Sequence, residues 1–268
     1  MSAFAERVGR VRAEMARHDV DVLLLSVGAD LPWLTGYEAM PLERLTMLVL
    51  PREGEATLVV PRLEAPRVVE RPAVFGVRPW EETEDPVEVV AALVGDPAVA
   101  LLGDRTWARF ALELQARLPA TAFRPAQPVV GPIRAVKDAA EVTALRAAGA
   151  AVDRVMAQLQ GGEVPLRGRT EAEVAADVHA RLLDAGHHRV NFVIVASGPN
   201  AASPHHEPGD RRIEAGEGVL FDIGGTVLDG DGVGYCSDIT RCVHLGPPPA
   251  EYRDLYAVLQ DAQDQAVA

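Results

Sequence analysis

Apolar positions recur along the first part of the chain with two spacings, one typical of helices and one typical of buried strands. An apolar residue at every third or fourth position predicts amphipathic helices over 3–18, 85–94 and 106–118. Short continuous apolar runs predict strands over 20–26, 44–51, 55–61, 74–77 and 99–102. Alternating helices and strands predict an α/β domain over residues 1–131.

The pattern changes after the proline-containing stretch RPAQPVVGPIRAVKD, residues 124–138, which predicts a linker. Asp138 with Glu141 and Thr170 with Glu173 form capping-box patterns, and each pair predicts the start of a longer helix. The runs NFVIVA, GVLFDI and YCSDITRCVHL then predict strands, and a final helix follows. These elements predict a second domain over residues 132–268.

Composition excludes some classes of partner. Hydrophobic residues make up 48% and charged residues 24% of the 268 positions, as in ordinary soluble globular proteins. A formal net charge of −13 argues against nucleic acid and anionic membranes as partners, because both bind basic surfaces. The N-terminus does not resemble a signal peptide, and no apolar run is long enough for a membrane span. Cys236 and Cys242 lie in one predicted strand, too far apart for a disulfide within it, so we expect a cytoplasmic protein with reduced thiols.

Two predicted strands each carry one aspartate, Asp222 in VLFDI and Asp238 in GYCSDIT. Side chains alternate between the faces of a strand, so both carboxylates point to one side if the strands pair. Two bare carboxylates there would repel each other, and a divalent cation would remove that repulsion. The alternative is structural: Asp222 would accept backbone N–H bonds at a turn, and Asp238 would pair with Arg241 or Arg212. The pattern alone leaves both readings open.

The loop SGPNAASPHH, which precedes the first of these strands, contains a candidate functional histidine. His205 is a candidate to bind a metal or to stabilise an oxyanion of a substrate, or it is an ordinary surface residue. Adjacent residues of an extended segment point apart, so we expect His206 to face elsewhere. Cys236 shares the predicted face of Asp238, and we expect it to be a small buried residue rather than a ligand.

Together these segments resemble a known family. VIVASGPNAASPHH, LFDIGG and GYCSDITR, in this order, resemble the first half of a pita-bread (creatinase/aminopeptidase-like) metallopeptidase. The similarity is greatest to the branch of Xaa-Pro dipeptidases (prolidases) and Xaa-Pro aminopeptidases. LPWLTGY, after the first strand, is similar to the creatinase-type N-terminal domain of that branch. The resemblance implies an α/β domain over 1–131 and an α+β pita-bread domain, a curved antiparallel sheet covered by helices, over 132–268.

The resemblance also implies roles for individual residues. In that family two divalent ions, Mn²⁺ first and Co²⁺ or Zn²⁺ as alternatives, are held by Asp, Asp, His, Glu and Glu. Asp222 and Asp238 match the two aspartates, and His205 matches a histidine that contacts the substrate. Thr240 matches a threonine that orients the second carboxylate, that of Asp238. The metals would activate a bridging water and polarise the scissile carbonyl.

The sequence departs from the family pattern in what it lacks. The remaining His and Glu ligands of the family follow the region that ends at residue 268. The last helix has an apolar stripe through Tyr252, Leu255, Tyr256 and Leu259 and reaches Ala268 without a helix-ending residue. We therefore expect a piece of a longer protein that is by itself an inactive half-site.

The implied activity is metal-dependent hydrolysis of the Xaa-Pro bond in dipeptides or short proline-containing peptides, by a homodimer. Dipeptidase and aminopeptidase activity are both open, and Arg44 is either a ligand of the substrate carboxylate or a plain surface arginine. Two other functions remain. A creatinase-like amidinohydrolase needs no metal, but that branch does not keep both aspartates. A non-catalytic module that binds peptides or proteins would fit the short ligand set.

Overall fold

The computed structural model describes residues 2–268, which form two compact units. The first unit contains the chain up to Asp138 together with Gly230–Val233, and the second contains Ala139–Asp229 and Gly234–Ala268. The structural division falls after Asp138, and the domain boundary expected between residues 131 and 132 stays a prediction.

A six-stranded mixed sheet forms the centre of the first unit. Its strands are β1 (Val22–Leu25), β2 (Met47–Pro51), β3 (Thr57–Pro61), β4 (Gly76–Trp80), β5 (Val99–Leu102) and β6 (Ala122–Pro125). The order across the sheet is β4-β3-β2-β1-β5-β6. β2 is antiparallel to both of its neighbours, β1 and β3, and the other pairs of adjacent strands are parallel.

Five α-helices of the described residues belong to the same unit. They are α1 (Ala3–Arg17), α2 (Asp30–Thr35), α3 (Pro86–Val94), α4 (Ala108–Arg117) and α5 (Gln127–Ala135). α3 and α4 bury Val87, Val90, Phe110 and Leu114 in a core that they share with the sheet. This arrangement confirms the predicted α/β domain.

The linker predicted over residues 124–138 is wrong. β6 ends within that stretch and α5 fills most of the rest. Pro128 lies in the first turn of α5, where a missing N–H breaks no helical hydrogen bond. Val129 and Val130 are buried, so packing stabilises a helix that the prolines concealed.

The second unit contains an antiparallel sheet with helices. Its elements are α6 (Ala139–Gln160), α7 (Glu171–Asp184), β7 (Arg189–Ser197), β8 (Gly218–Leu228), β9 (Gly234–Cys236), β10 (Ile239–His244) and α8 (Ala250–Val267). The order is β10-β8-β7, and β9 also pairs with β8. α7 begins with the predicted capping box, in which Thr170 and Glu173 each bind the backbone N–H of the other.

Alternation along β8 decides which face of this sheet is available for chemistry. Val219, Phe221 and Ile223 are fully buried against apolar residues of α6 and α7. Asp222 lies between them in sequence and therefore points to the opposite face. The predicted arrangement of apolar and acidic positions on this strand is confirmed.

None of the helices among residues 2–268 has both the length and the apolar composition that crossing a bilayer requires. The apolar stripe of α8 is largely exposed in this structure, with Leu255 at 72% and Leu259 at 63%.

Gly224 lets the chain before Asp238 approach β8 closely. A Cβ atom at this position would clash with the carbonyl oxygen of Ser237 and would lie 2.9 Å from Cζ of Phe192. A glycine is therefore required for packing, and Gly224 fixes how near the segment that carries Asp238 lies to β8.

We predict opposite effects for two alanine substitutions in this unit. Gly224→Ala should lower the free energy of unfolding by ~1–3 kcal/mol, because backbone and ring must move to admit a methyl group. Gly149→Ala, in α6 with nothing within 4 Å of the added atom, should raise it by ~0.5–1 kcal/mol. Urea unfolding of both variants checks this; equal stabilities would contradict the close approach.

Candidate active site

A cavity of about 520 Å³ lies in the second unit and brings together three of the predicted site residues. His205, Asp222 and Asp238 all line it. The remaining lining residues combine an apolar group with two further polar side chains: Phe192, Val193, Ile194, Pro208, His206 and Glu207. The expectation that the two carboxylates share one side of the sheet therefore agrees with their positions around the cavity.

Strand pairing places Asp222. In the register of β8 and β10, Thr240 lies directly opposite Asp222. The Thr240 hydroxyl donates a hydrogen bond of 2.9 Å to Oδ1 of Asp222. We had expected Thr240 to orient Asp238, two residues earlier on the same segment. The structure corrects this, because residues 237–238 lie between β9 and β10 and the threonine follows in the paired strand.

Buried hydrogen bonds hold the residue before Asp238. His187 Nδ1 is 2.9 Å from the carbonyl oxygen of Leu182, and its Nε2 is 2.9 Å from Oγ of Ser237. A carbonyl oxygen only accepts, so we assign the ring proton to Nδ1, and the Ser237 hydroxyl donates to Nε2. Ser237 Oγ also accepts the N–H of Gly225 at 3.3 Å. Asp238 thus extends from an anchored backbone into an exposed position.

His205 and His206 both line the cavity, which corrects the expectation that His206 faces elsewhere. His205 has a φ of 60°, in the left-handed region. The usual alternation of an extended segment fails at such a residue. His206 is partly buried, and its Nε2 is 2.8 Å from Oε2 of Glu171.

Glu171, which the sequence analysis did not select, is a fully buried carboxylate behind the histidines. Burial alone would raise its pKa. The donors Ser197, His206 and Asn200 outweigh burial and lower the pKa from 4.5 to about 2. The capping box had located a glutamate in this helical turn, but only packing shows that Glu171, rather than Glu173, points inward.

Two other predicted features lie apart from this cavity. Cys236 is exposed rather than buried, and its Sγ is 3.6 Å from Nδ2 of Asn191, so that expectation was wrong. Arg44 belongs to the first unit, where it forms ion pairs with Glu43 at 3.1 Å and Glu82 at 2.9 Å. The role of Arg44 in substrate binding stays a prediction.

The side chains around the cavity suit a divalent ion in kind, but they are too few for a full ligand set. Carboxylate oxygens are the ligands that hard divalent ions prefer, and Asp222 and Asp238 supply them. Within residues 2–268, however, no three His, Cys, Asp or Glu side chains are grouped so as to hold a metal ion. The role of Asp222 and Asp238 as metal ligands therefore stays a prediction.

Comparison with protein families gives the class. Residues 7–136 match the creatinase/prolidase N-terminal domain, and residues 143–268 match metallopeptidase family M24. Together the two matches cover most of the chain, in the order that the two structural units follow.

Individual relatives resemble the chain over almost its whole length. The chain is 40% identical to the probable dipeptidase PepE of Mycobacterium tuberculosis, over 98% of this chain and 69% of that protein. The dipeptidase PepE of Mycobacterium ulcerans superposes with a TM-score of 0.88 at 40% identity, over 98% of this chain and 70% of that one. A prolidase from Thermococcus sibiricus superposes with a TM-score of 0.89 at 31% identity, over 100% and 72%.

The chain belongs to metallopeptidase family M24, with a creatinase/prolidase domain ahead of its M24 domain. The expected combination of a creatinase-type α/β domain and a pita-bread α+β domain is confirmed. The chain spans about two thirds of the length of these relatives, 69% for the M. tuberculosis dipeptidase.

The low pKa of Glu171 predicts a pH-dependent stability. A folded pKa of about 2 against an ordinary 4.5 contributes about 3 kcal/mol above pH 4.5, and this contribution is lost as pH falls towards 2. Glu171→Gln removes the charge at every pH. The stability difference between wild type and this variant should therefore be large at pH 7 and small at pH 2.5, as measured by urea unfolding. A difference that does not change with pH would contradict the assignment.

Proposed function

We propose that the chain comes from a metal-dependent exopeptidase that hydrolyses the Xaa-Pro bond at the N-terminus of dipeptides or short peptides. The observation that carries the proposal is the meeting of Asp222, Asp238 and His205 around one cavity. Membership of family M24 and similarity to dipeptidases and a prolidase support it.

Each of these side chains has a task in such a reaction. Asp222 and Asp238 would hold divalent ions, and Thr240 keeps the carboxylate of Asp222 in place by its hydrogen bond. Bound divalent ions supply an activated water and polarise a carbonyl group in metallopeptidases. His205 would donate a hydrogen bond to the carbonyl oxygen of the substrate and stabilise the negative charge that develops there.

The apolar side of the cavity supports proline preference. Phe192, Val193, Ile194 and Pro208 line it together. A proline ring buries apolar surface against such a wall, and its nitrogen brings no N–H that needs an acceptor. We propose that this wall receives the proline of the substrate.

The finer parts of the proposal rest on the family resemblance. We propose two metal ions, with Mn²⁺ as the first candidate, a homodimer and a cytoplasmic location. Because the described residues hold no group of three metal-binding side chains, we also propose that this chain alone carries a partial, weakly binding and inactive metal site.

One alternative has an observation in its favour. A non-catalytic module that binds peptides needs a cavity but no complete ligand set, and the described residues show that combination. A binding module does not, however, require two carboxylates and a histidine at one place. Metal binding therefore separates the two functions.

We predict that Asp222→Asn and Asp238→Asn each weaken Mn²⁺ binding at least about tenfold, because each removes a charged ligand. The loss of the electron paramagnetic resonance signal of free Mn²⁺ measures binding. Asp184→Asn, an exposed carboxylate in the same unit that does not line the cavity, is the control and should bind as wild type does.

The same samples should be incubated with Ala-Pro and Ala-Pro-Pro. Metal-dependent cleavage of Ala-Pro alone would indicate a dipeptidase, and cleavage of Ala-Pro-Pro an aminopeptidase. Binding without cleavage would support the partial site. Mn²⁺ binding that neither aspartate variant weakens would overturn the assignment of the ligands.

A role of Arg44 in binding the substrate carboxylate predicts a selective effect. In a preparation that cleaves Ala-Pro, Arg44→Ala should raise KM for this peptide about tenfold or more and change kcat little, because it removes ground-state binding. Arg62→Ala, which loses a comparable surface ion pair with Glu81, is the matched control. Equal KM values for the two variants would assign Arg44 to the surface.

A further inference from the structure

The buried carboxylate of Glu171 receives all of its side-chain hydrogen bonds from one short segment. Oε1 accepts from the N–H of Ser197 at 2.8 Å and from its Oγ at 2.7 Å. Nδ2 of Asn200 lies 3.1 Å from both oxygens. His206 Nε2 is 2.8 Å from Oε2. The donors stand at the beginning, the middle and the end of residues 197–206, which we call the histidine loop.

These contacts are not needed for the helix that carries Glu171. The capping box of Thr170 and Glu173 already binds backbone N–H groups at the start of α7. Glu171 instead points inward, and its side chain is 0% exposed. Burying a carboxylate without hydrogen-bond donors costs free energy, so Glu171 depends on the donors of the histidine loop. The donors of the loop depend in turn on Glu171 as their acceptor.

A cation reinforces the beginning of the same loop. Nη1 of Arg211 donates to Oγ of Ser197 at 2.7 Å and to Oε2 of Glu217 at 2.9 Å. The Ser197 hydroxyl thus receives a hydrogen bond from Arg211 while it donates its own to Glu171. The start of the histidine loop is therefore hydrogen-bonded both to the carboxylate of Glu171 and to the guanidinium group of Arg211.

The end of the loop contains a strained residue. His205 has a φ of 60°, a left-handed conformation that side-chain-bearing residues adopt only when their surroundings enforce it. The residue that follows is His206, whose ring is bound to Glu171. We call the hydrogen bonds from Ser197, Asn200 and His206 to Glu171 the clamp. The clamp therefore acts next to the strained residue, and both histidines line the cavity.

We propose that Glu171 is a positioning residue: by holding Ser197, Asn200 and His206 it fixes the backbone of His205 and directs that side chain to the cavity. The role of His205 in catalysis rests on the proposed function. The clamp itself does not, and its test uses readouts that are independent of activity.

The test compares Glu171→Gln with Glu173→Gln in the full chain. Both variants remove one negative charge from the same turn of α7, and only the first touches the histidine loop. Hydrogen exchange of the amides in residues 197–206 should accelerate at least about tenfold in Glu171→Gln, since charge-assisted hydrogen bonds are lost. In Glu173→Gln these amides should exchange as in wild type.

Imidazole resonances report the position of His205 directly. In long-range ¹H–¹⁵N spectra, the ring signals of His205, assigned with His205→Gln, should shift in Glu171→Gln and stay unchanged in Glu173→Gln. Faster exchange with unmoved His205 signals would show an anchor that does not position the histidine, and would overturn the proposal. Unchanged exchange would overturn it as well.

A second variant guards against misfolding of Glu171→Gln. His206→Ala removes one donor without touching the buried charge, and it should shift the His205 ring signals in the same direction to a smaller extent. If Ala-Pro is cleaved, Glu171→Gln should lower kcat more than it changes KM. Absence of cleavage by wild type is the result that the proposed partial metal site predicts, and amide exchange and the ring signals decide on the clamp in either case.

Discussion

The antiparallel register between β8 and β10 is the constraint on which the cavity depends. Val219, Phe221 and Ile223 must be buried against α6 and α7, so Asp222 points to the other face. A slip of one residue would exchange the two sets and place a carboxylate in the core. The same register sets Thr240 opposite Asp222, and the hydrophobic core thereby fixes the acidic face as firmly as any polar contact does.

Glu171 is the second fixed point, and it binds the loop that carries the two histidines of the cavity. Its charge is held in the interior because several donors outweigh the cost of burial, which the pKa of about 2 expresses. The sheet thus places the carboxylates while the start of α7 places the histidines. Two separate elements of one unit, each set by its own packing, converge on a single cavity.

Much of this was predictable from local pattern, and what was not depends on packing between distant residues. The alternation around Asp222 and the capping box of α7 each depend only on residues that are close together in the sequence. α5 was missed because its prolines resemble a linker while Val129 and Val130 pack it as a helix. The contact of His206 with Glu171 was not predicted, because a histidine in the sequence gives no sign that its backbone adopts a positive φ, as that of His205 does.

We propose that Asp222 and Asp238 form the metal-binding face of this cavity. Paramagnetic broadening by Mn²⁺ in ¹H–¹⁵N spectra of the full chain tests it most directly, because broadening marks the residues near the ion whether or not any peptide is cleaved. We predict that the signals of Asp222, Asp238 and Thr240 disappear first, before those of the first unit. Broadening centred elsewhere, or none at these residues as Mn²⁺ is raised, would contradict it.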